Sequence, residues 1–183
     1  MTASLLHIPL KRIDGTEDRL ANHAGKVLLI VNVASNCGLT PQYTGLQALH
    51  QQKHPKGLEV LGFPANNFMG QEPGSDAEII EFCTTQYDVH FPLFSKISVG
   101  GGNQHPLYAQ LIAARPSTIG DGPFRKVLEG HGISPAAAPQ VLWNFEKFLL
   151  NRRGDVVARF APDIIAEDPR LVAAIDAELA LKV

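Results

Sequence analysis

Two cysteines, Cys37 and Cys83, are the residues of this 183-residue chain best suited to covalent chemistry. The thiolate is the nucleophile, and a helix start or a nearby cation makes it available at neutral pH. Cys37 follows the nearly unbroken apolar run Lys26 to Ala34 and precedes Thr40-Pro41. That dipeptide reads as a helix start, with Thr as N-cap and Pro in the first helical position. Cys37 is thus expected at the carboxyl end of a buried strand and close to the amino end of a helix. Open α/β sheets place reactive groups there, and unpaired N–H groups at the helix start favour a thiolate. Gly38 leaves room for a small molecule to approach. The competing reading for both cysteines is an inert buried thiol, which is how most free cysteines are used.

Other residue types suggest other chemistry, but with less support. Seven histidines are present, and His50 and His54 are spaced to share one face of a helix. Neither HExxH nor a Cys-x-x-Cys pair accompanies them, so neither a zinc site nor a cofactor is expected. The lack of Cys-x-x-Cys also argues against a general disulfide oxidoreductase. Gly100-Gly101-Gly102 is not followed by Gly-Lys-Ser/Thr and reads as a flexible loop rather than a phosphate cradle. His105 and His131 are expected to be solvated in Gly-rich loops. Arg152-Arg153 is expected to decorate a turn.

The elements that must hold Cys37 can be read from periodicity and punctuation. Leu5 to Arg12 alternates weakly and ends at Asp14-Gly15, which predicts a short N-terminal hairpin. Lys26 to Ala34 and Leu58 to Phe63 are buried strands. Between them a helix runs from Thr40-Pro41, through Tyr43, Leu46 and Leu49, to Pro55 and Gly57. Ser75-Asp76-Ala77-Glu78 is a capping box that opens a second helix, with Ile79, Ile80 and Cys83 on one face. Phe91 to Ile97 reads as a short strand weakened by Pro92, and Pro106 to Arg115 reads as a helix. Residues 116 to 139 read as a long surface excursion. Val141 to Phe160 gives two strands around Asn151-Arg152-Arg153-Gly154, and Pro169 to Leu181 a closing helix.

A crossover between the first two central strands makes them parallel neighbours, and the later hairpin adds antiparallel strands on the other side. The result is a thioredoxin-like α/β sandwich, a central mixed sheet flanked by helices, in a single domain spanning 1–183. The formal net charge of −2 does not suggest a nucleic-acid binder. The apolar stretch Ser4 to Leu10 is interrupted by His7 and Pro9 and is too short to span a bilayer. A cytoplasmic protein with no membrane insertion is expected.

Four ordered blocks carry a family resemblance: Asn32 to Thr40 around Cys37; Gly62 to Phe68 leading into Gln71-Glu72-Pro73-Gly74; Trp143 to Phe148; and Arg159-Phe160 with Pro162. Over roughly residues 5 to 181 the chain resembles the glutathione peroxidases. It looks closest to a bacterial, Cys-type branch whose members carry a vitamin B12 transport name. The resemblance implies a thiol peroxidase acting on hydrogen peroxide and organic hydroperoxides, with a catalytic set of Cys37, Gln71, Trp143 and Asn144. Gln, Asn and indole N–H groups can donate to a thiolate or peroxide oxygen without carrying charge. The product at Cys37 is a sulfenic acid. Many animal relatives carry selenocysteine there, and Cys implies slower chemistry with a resolving thiol.

By the same resemblance Cys83 matches the resolving cysteine of thioredoxin-dependent members, which makes thioredoxin, and secondarily glutathione, the implied reductant. A disulfide needs Cα atoms within about 7 Å, so the second helix is expected to unwind partly during turnover. Ala65 stands where relatives often have Cys, leaving only the Cys37–Cys83 pairing, and Asn67 stands where they often have Gln. Two rival readings use the same residues: a peroxide sensor that passes its disulfide to a partner, and a vitamin B12 uptake accessory. Only the branch name suggests the second, and no Asp-x-His-x-x-Gly motif supports it.

Overall fold

The computed structural model describes residues 4–183, so the first three residues of the expected 1–183 domain lie outside the described residues. Asp14 Oδ1 accepts the Thr16 N–H and hydroxyl at 2.9 and 2.7 Å, and Gly15 adopts a φ of +91°. This turn joins β1 (Leu10–Lys11) to β2 (Glu17–Asp18) in an antiparallel pair. The expected hairpin is therefore present but minimal. Leu5–His7 coils into a 3₁₀ turn instead, and Pro9 cannot donate to a ladder.

The central strand β3 (Val27–Val33) is buried along its whole length. After it come α1 (Gln42–Lys53), β4 (Leu58–Pro64), α2 (Asp76–Tyr87), α3 (Pro106–Ala114) and α4 (Pro123–Gly130). The chain closes with β5 (Lys147–Leu150), β6 (Val156–Phe160) and α5 (Pro169–Ala180). The sheet order is β4-β3-β5-β6. β3 and β4 are parallel from Val27↔Leu58 to Val33↔Pro64, and β5 runs antiparallel to both β3 and β6.

Because side chains alternate across a sheet, β3 feeds two apolar clusters. Val27, Leu29, Val31 and Val33 pack with Leu46 and Leu49 of α1, Ile79 and Cys83 of α2, and Leu171 and Ile175 of α5. Leu28 and Ile30 pack with Phe63, Phe94 and the α3 residues Leu107, Tyr108 and Leu111. Burial on both faces explains the unbroken apolar run that marked this strand in the sequence. The mixed sheet between two helical layers is the thioredoxin-like sandwich expected.

Several expectations need correction. Thr40 does not cap α1, which begins at Gln42; its hydroxyl is committed to the Cys37 loop. Ile80 does not share the buried face of α2. One residue of helix turns it about 100° away from Ile79, and it is 39% exposed. Phe91 to Ile97 forms no strand; only the single bridges Gly62↔Leu93 and Arg12↔Phe94 fasten it, since Pro92 has no N–H to offer. The 116–139 excursion contains α4, which starts with Pro123 and buries Leu128. Arg152 is no turn ornament: its guanidinium donates to the carbonyls of Gly25, Lys56, Leu179 and Leu181 and ties both ends of the domain together. Arg153 does sit on the turn, exposed beside Asp155.

Candidate active site

Beyond Val33 the chain leaves the sheet and makes a tight loop that Thr40 closes. The Thr40 hydroxyl donates to the Ala34 carbonyl at 2.8 Å and accepts the Cys37 N–H at 3.0 Å. The Thr40 N–H returns to the Cys37 carbonyl at 3.0 Å. Held this way, Cys37 is 8% exposed, and its Sγ accepts the Leu39 N–H at 3.3 Å. A backbone N–H aimed at sulfur stabilises the anionic form. A Cβ added at Gly38 would meet nothing within 4 Å, so the approach beside Cys37 is open.

Gln71 lies on the loop after β4. Its carbonyl accepts the Asn36 N–H at 3.0 Å, which fixes the residue before Cys37. Asn66 holds that loop from within by accepting the Glu72 N–H at 2.9 Å. Asn67 anchors it from outside: Oδ1 accepts the Val99 N–H at 2.9 Å, and Nδ2 donates to Ser98 at 2.9 Å. The shorter amide in place of Gln is thus fully used.

Trp143 and Asn144 enter from the segment before β5. Asn32 of β3 donates to the Trp143 carbonyl at 3.0 Å and its own carbonyl accepts the Phe145 N–H at 2.6 Å. This pins the Trp-Asn pair to the strand that carries Cys37, and Phe145 turns through a φ of +68° to do so. Asn144 is fully buried and donates to Gln71 Oε1 at 2.9 Å. It therefore orients the Gln71 amide with its NH₂ available, a more specific task than donating in parallel with it. The Trp143 ring lies 5.2 Å from the Phe68 ring. Cys37, Trp143 and Cys83 belong to one buried cluster.

Cys83 is fully buried on α2, and both cysteines are free thiols. Burial pushes the Cys83 thiol up to about 11, while the Tyr43 hydroxyl beside it pulls the other way. Sequence reasoning passed over Thr40, Tyr43 and Glu72, which surround the two thiols. Glu72 stood inside the Gln71-Glu72-Pro73-Gly74 block; Tyr43 read only as core.

The histidines also resolve. His50, His54 and Glu59 offer ligand atoms within 4.8 Å of one another, a trio in which the sequence had indicated only the two histidines. Lys26 already pairs with Glu59 at 2.7 Å. The Val60 N–H donates to His50 Nδ1 at 3.4 Å, which puts the ring proton on Nε2, the atom nearer Glu59. The group is a charge-compensated hydrogen-bond cluster rather than a set of free lone pairs. His105 is not solvated: its Nδ1 caps α3 by accepting the Leu107 N–H at 3.1 Å, and burial lowers its pKa.

A thioredoxin-like sheet that presents a cysteine at the end of its central strand, beside oriented amide and indole donors, defines a thiol-chemistry protein. The glutathione peroxidase family model matches residues 5–112. The chain is 48% identical over 98% of its length to the thioredoxin/glutathione peroxidase BtuE of Escherichia coli, covering all of that protein. It is 49% identical over 85% of its length to the hydroperoxy fatty acid reductase gpx1 of Synechocystis, covering 88% of it. Among solved structures, Trypanosoma cruzi GPX1 superposes with a TM-score of 0.70 at 30% identity, over 97% of each chain. The chain belongs to the glutathione peroxidase family. It is a peroxidase of the thiol type, with hydroperoxide as substrate and a thiol as reductant. Among the described residues no helix is long and apolar enough to cross a membrane.

Proposed function

We propose that Cys37 is the peroxidatic thiol, that Cys83 resolves its sulfenic acid, and that thioredoxin reduces the disulfide. The Cys37 thiolate attacks one peroxide oxygen. The O–O bond breaks, and the departing alkoxide takes a proton while Cys37 becomes Cys–SOH. Gln71, oriented by Asn144, and the Trp143 indole donate to the oxygens on which charge develops. Cys83 then displaces water to give the Cys37–Cys83 disulfide. The observation that carries this reading is the join at Gln71, which binds Asn36 through its carbonyl and Asn144 through its side chain. Three segments distant in sequence are thereby fixed around one thiol. The name of the Escherichia coli relative, which cites both thioredoxin and glutathione, supports a thioredoxin-linked cycle. A cytoplasmic setting with reduced thiols suits two free cysteines.

The test is peroxide-dependent NADPH oxidation coupled through thioredoxin and its reductase, for wild type, Cys37→Ser and Cys83→Ser. Activity should vanish in the first variant and collapse in the second. Undiminished thioredoxin-linked turnover in Cys83→Ser would remove Cys83 from the cycle.

A further inference from the structure

Between the loop that carries Cys37 and helix α2 lies a depression of about 240 Å³, whose lining includes Ser35, Asn36, Glu72, Glu78, Ile79 and Phe82. Glu72 is only 1% exposed, and its Oε2 has no hydrogen-bond partner. A buried carboxylate oxygen left unpaired is costly, so its presence calls for a reason. Ser35 faces the carboxylate through its N–H and hydroxyl, and Lys96 is the cation acting on it. Lys96 itself is held by the Glu72 and Gly74 carbonyls at 2.9 and 2.5 Å.

Behind this carboxylate sit Tyr43 and Cys83, both fully buried. The Tyr43 hydroxyl faces the Cys83 thiol and has no nitrogen or oxygen partner. The charge of Glu72 is felt at both groups. Asn36, on the other side of the depression, directly precedes Cys37. Glu72 therefore stands between the segments bearing the two cysteines.

We propose that Glu72 is the proton acceptor of the resolving half-reaction, taking the Cys83 thiol proton and delivering it to the hydroxide that leaves Cys37. The proposal rests on Cys83 being the resolving cysteine. The Cys83 sulfur attacks the sulfenic sulfur as α2 loosens, and an S–S bond forms. The S–O bond breaks, and its electron pair departs with hydroxide. The proton held on Glu72 completes a water molecule, and Glu72 is again a carboxylate. The Cys37 sulfur is reduced, the Cys83 sulfur is oxidised, and no outside reagent is consumed. A base is needed because a thiol held at about 11 by burial is ionised in only ~1 molecule in 10,000 at pH 7. Burial raises the Glu72 pKa above the usual carboxylate range, which brings donor and acceptor closer together.

The test is a single turnover of the full chain with tert-butyl hydroperoxide, without thioredoxin, from pH 5 to 9. Trp143 fluorescence reports the first phase. Acid quench, alkylation and intact mass report disulfide formation. In Glu72→Gln the ratio of the second rate constant to the first should fall about 100-fold, the size of a general-base effect. The acid limb assigned to Glu72 should disappear from the second phase, and Glu72→Asp should recover part of both. The facing groups Tyr43, Cys83, Glu78 and Lys96 are unchanged in these variants, so a lost limb belongs to Glu72. An unchanged ratio and profile would overturn the proposal, as would a fall in both rate constants together, which marks a structural defect. Cys83→Ser separates the underlying reading: if it still completes the second phase, Cys83 is not the resolving residue, whatever Glu72 does.

Discussion

At Cys83 the chain carries a thiol that folding makes a weaker acid. Its pKa rises from a reference of 9.0 to about 11, chiefly through burial. The unfolded chain therefore ionises first as pH rises. The stability linked to Cys83 is complete below pH 9 and is lost between about 9 and about 11, amounting to roughly 2–3 kcal/mol. Urea unfolding at pH 7.5 and pH 10.5 should show a smaller alkaline loss in Cys83→Ala than in wild type; equal losses would contradict this account of the buried thiol. Cys37, by contrast, sits in a loop whose hydrogen bonds point at its sulfur and main chain. The sequence showed which cysteine follows the strand. It could not show Thr40 turned away from the helix cap and onto the Cys37 loop, because a Thr before Pro suits either task. Nor could it show Asn144 spending its donor on Gln71, which needs the meeting of segments 73 residues apart.

At the scale of the element, α2 is held by a reciprocal cap. The Ser75 hydroxyl accepts the Glu78 N–H at 3.2 Å, and the Glu78 carboxylate accepts the Ser75 N–H at 2.7 Å. This capping box was legible from four residues because it is a local device. The same cap opposes the opening of α2 that the proposed disulfide needs. Ser75→Ala should lower global stability by about 1 kcal/mol. If local opening limits the second phase, it should also speed disulfide formation by up to about fivefold. A variant that is less stable yet no faster would show that α2 opening is not limiting. The elements misread were those whose state depends on neighbours. Phe91 to Ile97 has strand-like residues but touches β4 only through single bridges. Helix α4 hid among Pro and Gly residues because Leu128 is its one buried apolar side chain.

Across the whole molecule, the apolar runs of β3 and β4 announced a sheet buried on both faces, and the fold followed from their order. What composition did not announce is the charge inside. Arg159 and Glu146 are each 1% exposed and pair at 2.8 Å between β6 and the start of β5. The Arg159 guanidinium also lies 4.9 Å from the Phe148 ring. This pair gives a physical reason for two of the four blocks that carried the resemblance, Trp143 to Phe148 and Arg159-Phe160: each supplies one partner. Removing one partner strands the other, so Arg159→Met should destabilise the fold by about 3–5 kcal/mol in chemical denaturation. A loss below about 1 kcal/mol would mean that Glu146 finds another partner or simply takes up a proton.

The most direct test of the central claim is intact-mass analysis and peptide mapping after one equivalent of hydroperoxide. Wild type should carry a single Cys37–Cys83 disulfide, and Cys83→Ser a sulfenic acid confined to Cys37. Oxidation that begins at Cys83, or a wild-type chain that ends with no intramolecular disulfide, would contradict it.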